Sequence, residues 1–451
     1  MRIDDNEFIL IVRRLHVCYR PGIWTLVESV PQTWNMEELS MRVAFAWMAL
    51  LSFIATAKSA DISEETKVKN TFKDDIDFLQ KHTDAVTLSD VTGKALVTVV
   101  PKMQGRVMTS SAQGDSGLSF GWINYDLIKS GKIQEHINVF GGEDRFWLGP
   151  EGGQFSIFFK KAAPFDLAHW FTPKCLDTEP FDVVNKSKDQ ITMKRDVSLD
   201  NYSGTTFKIL VERQVKVLAS KAAMERLSLK TTKDVSVVAY ESVNKITNTG
   251  KNTWDKKSGM LSIWVLGMFN PSPSTTIVIP YNAGGEAGLG PVVNDSYFGK
   301  VPSDRLAIGK DVMFFSGDGK HRSKIGLSPM RAKSVAGSYD AANRVLTIVQ
   351  YTKPEGATDY VNSMWELQKE PFKGDVVNSY NDGPPAPGAK PLGPFYELET
   401  SSPAAALGPG QSLSHIHRTF HFIGDDAALD RISTAVLGVS LKEITGAFIK
   451  Q

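Results

Sequence analysis

Three histidines alternate in one short run, Ser414-His415-Ile416-His417-Arg418-Thr419-Phe420-His421-Phe422, and two carboxylates alternate just upstream in Phe395-Tyr396-Glu397-Leu398-Glu399-Thr400. In a β-strand, side chains two residues apart share a face. His415, His417, Thr419 and His421 then point one way, and Ile416, Phe420 and Phe422 the other. Glu397 and Glu399 share a face of their own strand. Paired carboxylates can divide acid and base roles when burial raises one pKa above the other. His415 and His417 have the strand spacing that lets two imidazoles reach one metal ion. They equally suit a solvated polar face, or hydrogen bonds to sugar hydroxyls without metal. No second cluster of histidine or cysteine accompanies them, so the expectation is no metal and no other cofactor.

The elements that hold these residues read as β. Phe207 to Leu218 alternates, with Phe207, Ile209, Val211, Val215 and Val217 on one side and Lys208, Glu212, Gln214 and Lys216 mostly on the other. Ala95 to Thr109 reads as two strands broken at Pro101 and Gly105. Further strands are expected over 235–247, 275–281, 344–351 and the two C-terminal runs, with turns at Asn248-Thr249-Gly250 and Asp382-Gly383-Pro384-Pro385. A short helix is expected near 72–81. No helical pattern recurs between strands, which argues against a parallel α/β sheet. The fold class is therefore all-β: one large antiparallel sandwich with few short helices, over residues 61–451.

The chain has 451 residues, 42% hydrophobic and 22% charged, with a formal net charge of +1. That balance offers no electrostatic argument for nucleic acid or an anionic membrane. Residues 41–60 read as a secretory signal peptide: Arg42, an uncharged apolar stretch from Val43 to Ala55, then small residues to Ala60. The stretch is short for a membrane span of ~20 residues, so no membrane anchor is expected. Residues 1–40 then form an upstream extension, and the mature protein is periplasmic or extracellular. Only Cys175 remains after residue 60, which rules out an intramolecular disulfide in that portion.

Leu398-Glu399-Thr400, Pro403-Ala404, Leu407-Gly408-Pro409-Gly410 and Thr419-Phe420-His421-Phe422 resemble the closing segments of the aldose 1-epimerase (galactose mutarotase) family. The resemblance implies a supersandwich with a sugar-binding concave cleft, and Glu399 at the position of the family's catalytic base. Phe140 to Gly153 and Gly374 to Gly383 look like an uncharacterised secreted bacterial branch of the same superfamily. The family's two mid-chain histidines have no counterpart: no histidine lies between His169 and His321, and Trp264 falls where the second would stand.

The expected site therefore has Glu399, His415 and His417 as catalytic groups. Arg145, Trp147, Glu151, Glu397, Tyr380 and His421 are its substrate contacts. Trp147 suits stacking on a sugar ring or core packing alike. Asn378, Tyr380, Asn381 and Asp382 read as a polar loop start, either capping a turn or overhanging the cleft. Gly117-Leu118-Ser119-Phe120-Gly121 matches a nucleophile pattern but lacks the strand before and the helix after, and reads as chance. The expected function is carbohydrate binding or carbohydrate-directed acid/base chemistry in an exported protein. The alternatives are a non-catalytic glycan-binding module or a metal-dependent polysaccharide lyase-type enzyme.

Overall fold

Strict alternation makes long strands with one buried face, and the computed structural model shows it in Thr206–Val217, where Phe207, Ile209, Val211 and Val215 are fully buried and Lys208 is exposed. The structure describes residues 17–20, 23–26, 71–231 and 233–449. The chain divides into two compact units, Met1–Val68 and Lys69–Gln451. In the first, strands β1 (Val17–Arg20) and β2 (Ile23–Leu26) pair antiparallel. The signal-like segment 41–60 lies outside the described residues.

The second unit contains β3 (Val86–Ser89), β4 (Leu96–Val100), β5 (Arg106–Ser111), β6 (Arg145–Gly149), β7 (Asp182–Lys186), β8 (Gln190–Asp200), β9 (Thr206–Val217) and β10 (Val235–Asn248). It continues with β11 (Ser262–Phe269), β12 (Thr275–Pro280), β13 (Leu306–Ile308), β14 (Val312–Ser316), β15 (Ser323–Leu327), β16 (Val335–Asp340), β17 (Val345–Tyr351), β18 (Val377–Asn381), β19 (Tyr396–Ser401) and β20 (Ser412–Gly424). A ten-stranded sheet runs β13-β14-β12-β16-β17-β20-β10-β9-β8-β7; a five-stranded sheet runs β15-β18-β19-β11-β6; a third runs β3-β4-β5. The strand pairs of all three are antiparallel.

The two larger sheets share a core. Ile277, Ile279, Phe315 and Val349 of the ten-stranded sheet pack with Ile325, Leu327, Val377 and Leu398 of the five-stranded one. Two helices, α1 (Asp426–Leu437) and α2 (Leu441–Gly446), cover part of the other face of the ten-stranded sheet: Leu429, Ile432 and Ile444 meet Phe420 and Phe422. The expected all-β antiparallel architecture stands. The break after β4 is a short 3-10 turn, Pro101–Met103, followed by Gln104 and Gly105 at positive φ. Among the described residues no helix is long and apolar enough to cross a membrane.

Candidate functional site

Alternation on β19 decides where its chemistry sits. Tyr396 and Leu398 lie in the core between the sheets, and Thr400 shares their parity. Glu397, Glu399 and Ser401 therefore stand on the opposite face of the five-stranded sheet. Cross-strand register brings Asn378 opposite Glu399 and Tyr380 opposite Glu397 on one side. On the other side Leu266, Met268 and Trp264 face Glu399, Glu397 and Ser401. One strand further, Arg145 and Trp147 sit opposite Leu266 and Trp264. Lys324 of β15 sits opposite Tyr380.

Glu399 is fully buried. Its Oε2 accepts from the Trp264 indole Nε1 at 3.0 Å and from Lys324 Nζ at 2.9 Å. Its Oε1 has no protein partner, a condition that costs free energy unless a water or ligand completes it. The Lys324 ammonium also lies 4.9 Å from the Trp264 ring centroid and 5.5 Å from that of Tyr297. Trp264 thus fills the resemblance's vacant histidine position with an N–H that can orient the carboxylate but cannot give up its proton.

Beside Glu399 a polar cavity of about 20 Å³ is lined by Trp264, Lys324, Tyr297, Asp375, Asn378 and Ser262, among others. That volume is room for roughly one water. The Ser262 hydroxyl, also buried, has no protein partner either. Tyr297 donates to Asp375 Oδ2 at 2.6 Å and accepts from Asn378 Nδ2 at 3.2 Å. The segment carrying Tyr297 is pinned to β15 by reciprocal 2.8 Å backbone hydrogen bonds between Asn294 and Gly326. Gly326 has to be glycine for steric reasons: a Cβ there would lie 2.1 Å from Asp375 Oδ2 and 2.4 Å from Asn378 Nδ2.

Burial sets the protonation states. Glu151, just past β6, is pushed up to about 7, chiefly by burial; Lys324 pulls it down and Glu399 adds to the rise. Burial alone would lower the Lys324 ammonium, but Glu399 and Glu151 outweigh it and the net direction is up. Glu397 rises by burial while its ion pair with Arg145 pulls it back. Asp375 also rises, again by burial first.

The expected residues divide into two groups. Arg145, Glu397, Glu399, Trp147 and Tyr380 do share one sheet face, and Glu151 couples to it electrostatically. Trp147 is buried edge-on against Trp264 at 5.5 Å, a packing position beneath the Arg145 guanidinium. Residues 378–381 are strand β18 rather than the start of a loop, and Tyr380 donates to Asp382 at 2.8 Å.

The histidines do not join them. His415 Nε2 and His417 Nδ1 each lie 2.9 Å from the Thr400 hydroxyl. Thr400 is on the core face of β19, so the imidazoles reach the face opposite Glu399. The hydroxyl has one proton, so one imidazole accepts it and the other donates to the oxygen. Burial lowers His415 to about 3 and His417 to about 4, leaving both neutral. The expected convergence of the histidine strand on Glu399 is therefore corrected: β20 belongs to the other sheet and its polar face is interior.

His421 is likewise buried, 3.0 Å from Glu143 and 2.8 Å from Thr347, stacked on Phe120. Ser119 of the nucleophile-like pattern contacts Thr109 at 2.6 Å and donates to Asp75, while His421, which lines the same small cavity, bonds to Glu143 and Thr347 instead. Among the described residues no three His, Cys, Asp or Glu side chains gather as a metal site. Sequence reasoning missed Lys324, Tyr297 and Asp375. Asp375 sat inside a recognised run, but neither Lys324 nor Tyr297 carries a local signal.

Comparison with curated proteins yields no match. Among solved structures the chain is similar to the Slr1438 protein from Synechocystis sp. PCC 6803, at 12% identity over 76% of this chain and 96% of that one, TM-score 0.46. It is similar to a putative aldose 1-epimerase from Escherichia coli K12, at 13% identity over 75% and 98%, TM-score 0.45. A galactose mutarotase-like protein from Lactobacillus casei ATCC 334 gives 11% identity over 75% and 99%, TM-score 0.42. Likeness at this level transfers no activity. Residues 70–448 match a family of unknown function, DUF6786. That match runs nearly end to end through the unit Lys69–Gln451, and the chain belongs to this family.

Proposed function

We propose that this protein binds a carbohydrate over the Glu399 face of the five-stranded sheet and exchanges protons with it there. The observation that carries the reading is Glu399 itself: a buried carboxylate with Oε2 fixed by Trp264 and Lys324 and Oε1 free to accept a proton. The sugar class comes from the C-terminal sequence resemblance, in which Glu399 holds the base position. In epimerase-like chemistry the base takes the anomeric hydroxyl proton while an acid protonates the ring oxygen and the ring C–O bond opens. Glu151 suits the acid's part, because burial keeps its proton on near neutrality. Lys324 retains its proton and offsets the charge of Glu399. A cavity of about 20 Å³ is too small for a sugar ring, so binding requires its walls to widen. Export is part of the proposal and rests on the signal-like residues 41–60 alone.

The test is a glycan panel followed by kinetics on the sugar that binds. Glu399→Gln keeps size and polarity and is expected to lower turnover by about a hundredfold or more, with sugar affinity nearly unchanged and a lowered melting temperature, because Lys324 loses its direct counter-charge. Full turnover in that variant would remove Glu399 as base. Binding with no turnover in the native protein would make it a glycan-binding module.

A further inference from the structure

Four carboxylates surround one ammonium. Lys324 interacts with Glu399, Glu151 and Glu397, and Asp375 in turn feels Lys324. Arg145 pairs with Glu397, and Lys324 contacts Glu399 directly. Among the described residues Asp375, which lines the cavity, has no salt-bridge partner: its Oδ2 is held by the neutral donors Tyr297 and Asn294. Two further observations separate this cluster from a merely acidic surface. Glu399 Oε1 and Ser262 Oγ are buried polar atoms with no protein partner, and Ser262 lines the cavity. The cavity walls Trp264 and Tyr297 already present aromatic rings to an ammonium, the surface that a second cation favours.

We propose that the preferred ligand is a sugar bearing a free amine, an amino sugar, and that uronic acids are excluded. This rests on the carbohydrate reading above and names the substrate class within it. The ligand ammonium lies against Asp375, which lines the cavity, and adds the positive charge that Lys324 alone does not supply; the sugar hydroxyls meet Glu399 Oε1 and Ser262 Oγ. A carboxylate-bearing sugar in the same place adds like charge to a site already in excess.

Isothermal titration of the full chain near neutral pH, with glucosamine, N-acetylglucosamine, glucose and glucuronate as probes, tests the proposal. Glucosamine is expected to bind about tenfold or more tightly than N-acetylglucosamine or glucose, as a charge-assisted contact warrants. Glucuronate is expected to bind weakest, and added salt to narrow the spread. Asp375→Asn, which can still accept from Tyr297, is expected to erase most of the amine preference while glucose affinity changes little. Should that variant fail to fold, the native series decides alone. Equal affinity for glucosamine and its N-acetyl form overturns the amine assignment and leaves the sugar site standing, and tightest binding of glucuronate does the same. Binding of none of the four overturns the amine assignment, and failure of the wider glycan panel as well overturns the carbohydrate reading with it.

Discussion

At the scale of single residues, the Glu399–Lys324 contact is the point of greatest stake. Lys324→Met would leave Glu399 fully buried with its cation gone, and removing one partner of a buried pair typically costs about 3–5 kcal/mol. Adding Glu399→Gln to it should recover much of that loss, because a neutral amide needs no counter-charge; chemical denaturation of the three proteins measures both steps. Burial also gives the histidines a testable signature. His415 and His417 sit below their ordinary value of 6.5, at about 3 and about 4. Their ring resonances should not titrate by NMR from about pH 8 to about pH 5. The unfolded chain binds more protons than the folded one below 6.5, so their contribution to stability is present above that pH. It is lost as pH falls toward about 4 and then about 3. Glu151 acts oppositely: held above its ordinary 4.5 at about 7, it adds stability as pH falls through that window. Glu151 offsets one histidine and Glu397, which burial also raises, offsets the other, so the melting temperature should stay nearly level from about pH 7 to about pH 4.5 and fall below it. A steady fall from pH 7 downward would contradict the assignment of the two glutamates.

At the scale of elements, the period-2 pattern made the strands legible and left their partners hidden. β9, β10, β12 and β17 follow from alternation and turn residues within a residue or so of their observed ends. The facing of Glu397 and Glu399 together follows from the same rule. Which sheet each strand joins does not: nothing in 412–424 says that β20 pairs with β10 and β17 while β19 pairs with β11 and β18. The site depends on that choice. Lys324 reaches Glu399 across two intervening pairings, β15 to β18 and β18 to β19, a long-range relation with no local sequence signature. Tyr297 depends on an irregular segment held to β15 through Gly326. Gly326→Ala therefore tests the whole arrangement: its Cβ would displace Asp375 and Asn378. The expected cost is about 1–3 kcal/mol from overpacking, together with weaker ligand binding, both readable by thermal melting with and without sugar. An unchanged protein would mean that Asp375 and Asn378 do not pack against Gly326.

At the scale of the molecule, the ten-stranded sheet decides how the chain unfolds. Its central neighbours come from far apart in sequence, β10 at 235–248 lying between β20 at 412–424 and β9 at 206–217. Its other half, β12, β16 and β17, shares one core with the five-stranded sheet. A break anywhere along this arrangement exposes apolar surface in both sheets, so the pieces cannot melt separately without large loss. A chain beginning at Lys69 is therefore expected to fold and to melt in one cooperative transition, with calorimetric and van't Hoff enthalpies in agreement. Cleavage of an exported chain after Ala57, Ser59 or Ala60 would leave this unit whole, and N-terminal sequencing of the secreted protein reads that position directly. Two separated transitions in Lys69–Gln451 would mean that the shared core is not continuous. A mature chain that still carried Trp24 would remove the export assignment and leave the folded unit, and the site on its five-stranded sheet, as they stand.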